Sequence, residues 1–504
     1  MTYATQLLLC LTTAASIETD LADRLRQRWS GHQRQLLNVV LEFLLSEVTP
    51  QSTFDFERKL ADAVREFARE VVEECYNLLE PDEPEKMPHD LRYEAGGYRR
   101  MNKKTRNAHV ATLFGTIELR RYGYRYWHRD RGEKMIFPLE AQLGLVAGAT
   151  PALAEVAARG MAEAGATQNS VLKRLKEQHH VAWGPQRLRK VTEEIAQGTE
   201  RFREEHQVVR ILELLEKAHQ SSGKCKPVLS VGRDGISLCE YRHRCFEVAT
   251  TATVTVYDRR GRRLGSVYLA FAPQLGQQNM TDQLTALIKG VLQRWEGPLP
   301  RLSYVTDAGD NETKYYRQVL RTMHHPRTGE RLKWRRIVDY YHTSQRIWEM
   351  ADALFGRGTP HSRGWARRMC SLLKKPNGPS RVLHSAAALQ SRVKMSKARA
   401  ADLHKAYNYI RSRTRLMQYA EYQKVHLPIG SGVTEAACKT VYTQRLKLSG
   451  MRWTKSGAQT ILNLRVTLLS GIWDRVYSAL LNSHSCDQII TYEPYTEDAT
   501  QKAA

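Results

Sequence analysis

Asp234, Asp307 and Asp339 each stand at the end of an apolar run, in "KPVLSVGRDG", "RLSYVTDAGDN" and "RRIVDYYH", and the first two are followed within two residues by glycine. A lone Asp-Gly is most often a turn. Such runs also read as buried strands, and where strands lie parallel their carboxyl ends share one edge of the sheet, where open α/β sheets carry their sites. Asp234 and Asp307 can therefore be neighbours although 73 positions separate them. Carboxylates gathered at one edge repel one another and normally hold a cation. Mg²⁺ takes oxygen ligands at about 2.0–2.1 Å and keeps several waters, so a few carboxylates and the phosphate oxygens of a substrate make a two-ion site. The later acid for such a site is Glu435, 128 positions after Asp307, in the opening turn of a helix that follows a Gly-Ser-Gly bend, "LPIGSGVTEAACKT". The plain alternative is an acid that only offsets the helix dipole, worth about 0.3–1 kcal/mol.

Neighbouring groups read as structural. Asp310 and Glu312 lie past the strand end and suit a loop or a helix start. Asp339 can serve as a scaffold hydrogen-bond acceptor, and His342 either as a satisfied polar residue or as one that touches substrate. His179 and His180, like His324 and His325, have no third ligand at metal spacing. Cys438 reads as a small core residue.

The elements that must position these groups follow from periodicity. Residues 1–90 are helical, with apolar positions at three- and four-residue steps in "RQLLNVVLEFLLSEV" and "FERKLADAVREFAREVVEECYNLLE", up to the break "PDEPEKMP". Residues 91–145 form a basic β-rich region. Residues 146–222 form short helices joined by Gly-containing turns, an arrangement compatible with a helix-turn-helix. From 223 to 345, three antiparallel-looking strands are followed by alternating helix and strand, with "RRIVDYYH" as the fifth strand. Residues 346–425 form a basic, all-helical insertion. Residues 426–480 return to the core with the Glu435 helix and further helices, and 481–504 is a polar tail. The fold class is a multidomain α/β chain with a mixed sheet covered by helices.

At 504 residues the chain holds roughly three folding units. The 77 Lys and Arg against 53 Asp and Glu leave +24, more than solubility requires, and point to a polyanion, nucleic acid first. A membrane surface fits less well, because the basic residues are spread over several regions. The start "MTYATQLLLCLTTAAS" has an apolar run without the basic flank of a secretory signal, and reads as a buried or partner-facing helix. Eight scattered cysteines with no Cys-x-x-Cys pair suit free thiols in the cytoplasm.

From about 225 to 475, "FEVATTATVTVYDRRGRRLGSVYL", "PRLSYVTDAGDN", "HHPRTGERLKWRRIVDYYH" and "PIGSGVTEAACKTVYTQRLKLSGMRW" resemble the ISKra family of bacterial insertion-sequence transposases. More broadly, they resemble the ribonuclease-H-like transposases with an Asp-Asp-Glu triad. The resemblance implies a ribonuclease-H-like core and a triad of Asp234, Asp307 and Glu435 holding two Mg²⁺ or Mn²⁺ ions. It implies cleavage of phosphodiesters at the ends of a mobile element and transfer of the strands into target DNA. Asp339 and His342 look like the Asp-x-x-His element of Mutator-like relatives, at the margin of the site. Relatives often carry a cysteine pair in the basic strand region, and "YGYRYWHRDRG" has none.

DNA contacts are expected at two places. Arg120, Arg121 and Arg125 interleave with aromatics in "RRYGYRYWHR", and Arg187, Arg189 and Lys190 open a helix in "GPQRLRK". After Glu435, Lys439, Arg445, Lys447 and Arg452 line a path for phosphates, and Trp453 can stack on a splayed base. Lys439 alternatively pairs with Glu435 across one helical turn. The expected partners are double-stranded DNA at element ends and target, and further copies of the chain that pair the ends. No membrane and no nucleotide cofactor is expected, and the location is cytoplasmic, at the nucleoid. The rival readings are a nuclease that shares the triad without joining strands, and a non-catalytic DNA-binding regulator.

Overall fold

The computed structural model describes residues 3–79, 99–100, 105–128, 132–239, 241 and 246–487. The break "PDEPEKMP" and the tail beyond Asp487 lie outside them. The chain divides into two compact units, the first drawn from Met1–Ala157, Thr167–Ile195 and Leu481–Ala504, the second from Ala158–Ala166 and Ala196–Leu480.

In the first unit the helices Tyr3–Leu44 and Pro50–Leu78 fold back on each other, with Phe43 stacked on Phe56 and Trp29 edge-on to Phe67. A capping box starts the second: Ser52 N donates to Thr49 Oγ1 at 3.0 Å, and Thr49 N donates to Ser52 Oγ at 2.8 Å. That helix lies on a hairpin of β2 (Thr105–Thr112) and β3 (Gly115–Arg121). Strand β3 alternates, burying Ile117 and Leu119 against Val110 and Leu139 while Glu118 and Arg120 face out. A small second sheet joins β1 (Arg99–Arg100), β4 (Tyr124–His128) and β5 (Gly132–Ile136).

The helices Pro151–Ala162 and Gln168–His179 are short, as the sequence suggests, but the next, Pro185–Gln220, is one rod of 36 residues. Gly198, read as part of a turn, lies inside it. The missing side chain there admits Leu480, whose Cδ1 is 2.8 Å from the position of a Cβ.

The second unit is built on five strands: β6 (Val228–Cys239), β7 (Phe246–Tyr257), β8 (Arg263–Phe271), β9 (Arg301–Thr306) and β10 (Trp334–Val338). Their order is β8-β7-β6-β9-β10, with β7 antiparallel to both its neighbours and β9 and β10 parallel to β6. This is the mixed α/β sheet the sequence led to. Alternate residues serve two cores. Leu229, Val231, Val254, Leu269, Leu302 and Tyr304 pack with the helix Gln278–Arg294 and with Tyr315. Val228, Val305 and Ile337 pack on the opposite face with an all-helical segment.

That segment comprises Tyr340–Phe355, Pro360–Leu373, Gly378–Gln390, Lys397–Arg413 and Tyr419–Lys424. It corresponds to the insertion expected at 346–425, except that its first helix begins earlier. "DYYH" is not strand: β10 ends at Val338, and Asp339 caps the helix by accepting from Tyr341 N. No helix among the described residues is long and apolar enough to cross a membrane.

Candidate active site

Sheet register brings the three aspartates together. In the parallel pairs, Gly232 of β6 lies opposite Val305 of β9, and Val338 of β10 lies opposite Thr306. Continuing each ladder by one or two residues sets Asp234, Asp307 and Asp339 in one row across strands spaced about 4.8 Å apart. Asp339 N donates to Thr306 O at 2.8 Å, so the β9–β10 ladder runs up to the acids.

The helix Gly432–Ala437 carries Glu435 over this row. It reaches the sheet because Gly232 has no side chain: a Cβ there would overlap Thr434 Oγ1, which shares a 2.7 Å hydrogen bond with Thr253 Oγ1 of β7. At the other end of the helix, Cys438 Sγ donates to Asp234 Oδ2 at 3.4 Å, and Gly235 N donates to Asp234 Oδ1 at 2.7 Å. Cys438 is therefore buried, as its residue type suggested, yet bonded to a site acid. The helix then widens into a π turn over Cys438–Thr443, whose Thr440 carbonyl accepts from Arg465. Such bulges recur at functional sites, and nothing in the sequence periodicity announces this one.

Asp339 is fully buried and ties the bend before Glu435 to the sheet. It accepts from Tyr341 N at 2.5 Å, from Ser431 N at 3.1 Å, from Ser431 Oγ and from His342 Nδ1 at 3.3 Å. His342 Nδ1 also lies 3.3 Å from Glu435 Oε1, which Ser431 Oγ approaches at 3.2 Å. The ligand atoms of Asp339, His342 and Glu435 thus lie within 4.8 Å of one another and can hold a metal ion. The sequence assigned metal to Asp234, Asp307 and Glu435 and left Asp339 and His342 at the margin, whereas this tightest group centres on the latter two. Asp339 already accepts four bonds, so its chemistry is to hold His342 and Ser431 in position. Glu435 pairs with His342, and Lys439 stands exposed one turn on.

The electrostatics follow from this crowding. Burial, with the field of Asp307 added, pushes the Asp234 carboxyl above its usual range, against the bonds from Gly235 and Cys438. Burial and the nearby Asp339 push Glu435 up, while His342 pulls it down. Burial also raises Asp339, but bonds from His342, Ser431 and Tyr341 outweigh it and leave the carboxyl lowered. The bond to Asp339 holds the His342 imidazolium above its ordinary value. A site whose acids are destabilised by one another favours a bound cation. Asp234, Asp307 and Glu435 offer oxygen alone, the donor set of a hard divalent ion such as Mg²⁺ or Mn²⁺.

The turn after β9 is held by the helical segment. Ala308 sits in the left-handed region at φ 61°, unusual for a residue with a side chain. Tyr409 Oη donates to Asp307 O at 2.7 Å, and Arg413 Nη2 reaches Ala308 O at 3.5 Å.

The expected DNA-contacting residues divide. Arg120, Arg189, Lys190, Lys439, Lys447 and Arg452 have exposed side chains. Arg125 lies on β4, where no side chain is described. Arg121 is instead engaged by Glu140 and lies 4.0 Å over the Phe137 ring. Arg187 donates to Gly148 O at 2.7 Å beside the Trp183 ring. Arg445 is 1% exposed and donates to Met161 O at 2.6 Å, and burial pushes its pKa down to about 10. Trp453 covers Arg445 and donates Nε1–H to Leu446 O at 2.8 Å, so its ring is part of the packing. A sequence reading takes an arginine for a phosphate ligand by default. Burial against backbone carbonyls, which reassigns Arg445, leaves no pattern in the chain. Comparison with known proteins finds no family model that matches this chain and no curated protein that resembles it in sequence.

Proposed function

We propose that this chain is the DNA transposase of an insertion sequence, cutting phosphodiesters at the ends of its element and joining the freed 3′ ends to target DNA. The observation that carries the reading is the row of Asp234 and Asp307 just past the end of the parallel β6–β9 ladder, where β6 itself runs on to Cys239 beside β7, with Glu435 held above by a helix seated on Gly232. The strand order β8-β7-β6-β9-β10 with β7 alone antiparallel is the order of a ribonuclease-H-like core and supports the same reading. So does charge: residues 346–425, beside the site, carry 17 Lys and Arg against 4 Asp and Glu, suited to a phosphate backbone.

Two bound Mg²⁺ or Mn²⁺ ions would supply activation of the attacking oxygen and stabilisation of the leaving oxygen in an in-line displacement. Asp234 and Asp307 hold one side of that site and Glu435 the other. Cys438 and Gly235 orient Asp234, His342 orients Glu435, and Asp339 keeps His342 and Ser431 in place. The chemistry needs no nucleotide cofactor and no covalent enzyme intermediate, and paired ends call for more than one copy of the chain.

The test is a cleavage and strand-transfer assay on DNA carrying the terminal sequences that flank the gene, with Mg²⁺ or Mn²⁺ supplied. Glu435→Gln keeps the shape and removes the charge, so cleavage and joining collapse while DNA binding persists. Asp310→Asn, at an exposed acid of the neighbouring helix, stays active. Near-normal joining by folded Glu435→Gln protein would overturn the triad. Cleavage without joining would identify a nuclease, and binding without cleavage by the unaltered chain a regulator.

A further inference from the structure

Two helices and a strand bring guanidinium groups to the turn after Asp307. Arg346 stands one helical turn on from His342 in the helix Tyr340–Phe355, and Arg413 ends the helix Lys397–Arg413. Their guanidinium carbons lie 5.1 and 4.3 Å from the centre of the Tyr409 ring, whose hydroxyl is bonded to Asp307 O. Arg336, from β10, donates to Thr313 Oγ1 at 2.5 Å and lies 5.3 Å over the Tyr316 ring. Thr313 Oγ1 in turn donates to Ala308 O at 3.4 Å, the carbonyl that Arg413 Nη2 reaches at 3.5 Å. Three cations therefore converge on the Asp307–Ala308 turn.

Packing does not use up their donors. An arginine committed to the interior makes short bonds, as Arg465 does to Ala162 O at 2.5 Å and Arg445 to Met161 O at 2.6 Å. Arg413 makes only long ones, at 3.1 Å to Ser412 Oγ, 3.4 Å to Tyr409 O and 3.5 Å to Ala308 O. Arg336 leaves its buried Nε without a partner. Among the described residues no carboxylate forms an ion pair with Arg336 or Arg413, and Arg346 has the half-exposed Glu349 at 2.7 Å. Burial, with the fields of Arg317 and Arg413 added, pushes the Arg336 guanidinium below its ordinary value. Like charges gathered without a counter-charge favour a bound anion, and the guanidinium fork matches the paired oxygens of a phosphate.

We propose that Arg336, Arg346 and Arg413 form a phosphate site beside Asp307, which holds the DNA phosphate next to the one being cut. The inference rests on the proposed reaction and names the groups that fix its substrate strand. Because Tyr409 and Arg413 bond to the backbone of Asp307 and Ala308, a phosphate held here is fixed relative to the Asp307 carboxylate.

The experiment makes two measurements on the full-length chain without divalent metal. One is the affinity for short single-stranded and duplex DNA; the other is the rise in melting temperature that inorganic phosphate gives over chloride at equal ionic strength. Arg413→Gln and Arg336→Gln each weaken DNA binding about tenfold, the worth of a charge-assisted hydrogen bond, and abolish the phosphate-specific rise. Arg368→Gln, which removes an exposed charge from the same helical segment, changes DNA affinity about twofold or less and keeps the rise. Arg413→Lys, with the charge but not the fork, recovers part of the affinity. A folded Arg413→Gln protein that melts lower yet keeps its DNA affinity and the phosphate-specific rise would overturn the site and make Arg413 a brace of the turn. Equal losses in Arg413→Gln and Arg368→Gln would overturn it in favour of general charge attraction. Loss of the rise with DNA affinity unchanged would assign the site to free phosphate and overturn its place on the DNA strand. Both losses in a chain that cleaves no DNA would uphold the phosphate site and overturn the proposed reaction.

Discussion

Adding one methyl group at Gly232 tests how the Glu435 helix is held. A Cβ there overlaps Thr434 Oγ1 and lies 3.1 Å from both Thr253 Oγ1 and Thr434 Cβ, inside a contact where both threonines are buried. Gly232→Ala must move the helix away from β6 or break the Thr253–Thr434 hydrogen bond. Overpacking of this kind costs about 1–3 kcal/mol and a lost buried hydrogen bond about 1 kcal/mol, so whichever response wins, the loss of stability is about 1–3 kcal/mol. On the proposed function, lifting Glu435 by about 1 Å also lowers metal-dependent cleavage about 100-fold. The assay is urea unfolding of Gly232→Ala, Thr434→Ala and the double variant. Thr434→Ala alone costs about 1 kcal/mol, but after Gly232→Ala it removes the clash, so the double variant is more stable than Gly232→Ala, a coupling of about 1–3 kcal/mol. Gly432→Ala, on the same helix with open space around its Cβ, changes stability by less than about 0.5 kcal/mol. A Gly232→Ala protein as stable as the parent, or additive effects in the double variant, would refute the close approach.

Two further outcomes follow from the same geometry. Lys447→Ala with Arg452→Ala weakens duplex binding and flattens its log–log salt dependence by about 0.9 per lost phosphate contact, whereas Arg445→Ala lowers the melting temperature and leaves that slope alone; the reverse pattern would return Arg445 to the DNA surface. His342 is held above its ordinary pKa by its bond to Asp339, so its proton stabilises the folded state fully below the unfolded value near 6.5, and the contribution is lost as pH rises through the folded value. In metal-free Glu435→Gln protein, where Asp339 is the acid bonded to the imidazole, the stability difference made by His342→Asn shrinks as pH rises above about 6.5; a difference that grows with pH would contradict the bond.

The sequence by itself determined the elements and the order of the acids. The apolar runs that lead to Asp234 and Asp307 are visible because strand burial writes a local pattern, although β6 runs on past the Asp-Gly to Cys239 rather than stopping there. Local pattern also misled. "RRIVDYYH" is apolar enough for a strand, yet Asp339 ends it by capping the next helix, and Gly198 looks like a turn because glycine usually marks one. What only the tertiary structure decided is which groups meet. Ser431 reaches Asp339 across 92 positions and Cys438 reaches Asp234 across 204, through sheet register and the choice of face, neither of which leaves a trace in the spacing of residues. The burial of Arg445 and Glu312 belongs to the same class. A charged side chain reads as exposed until the surrounding fold removes its water, and the desolvation that assigns Arg445 to the packing is a property of the assembled chain alone.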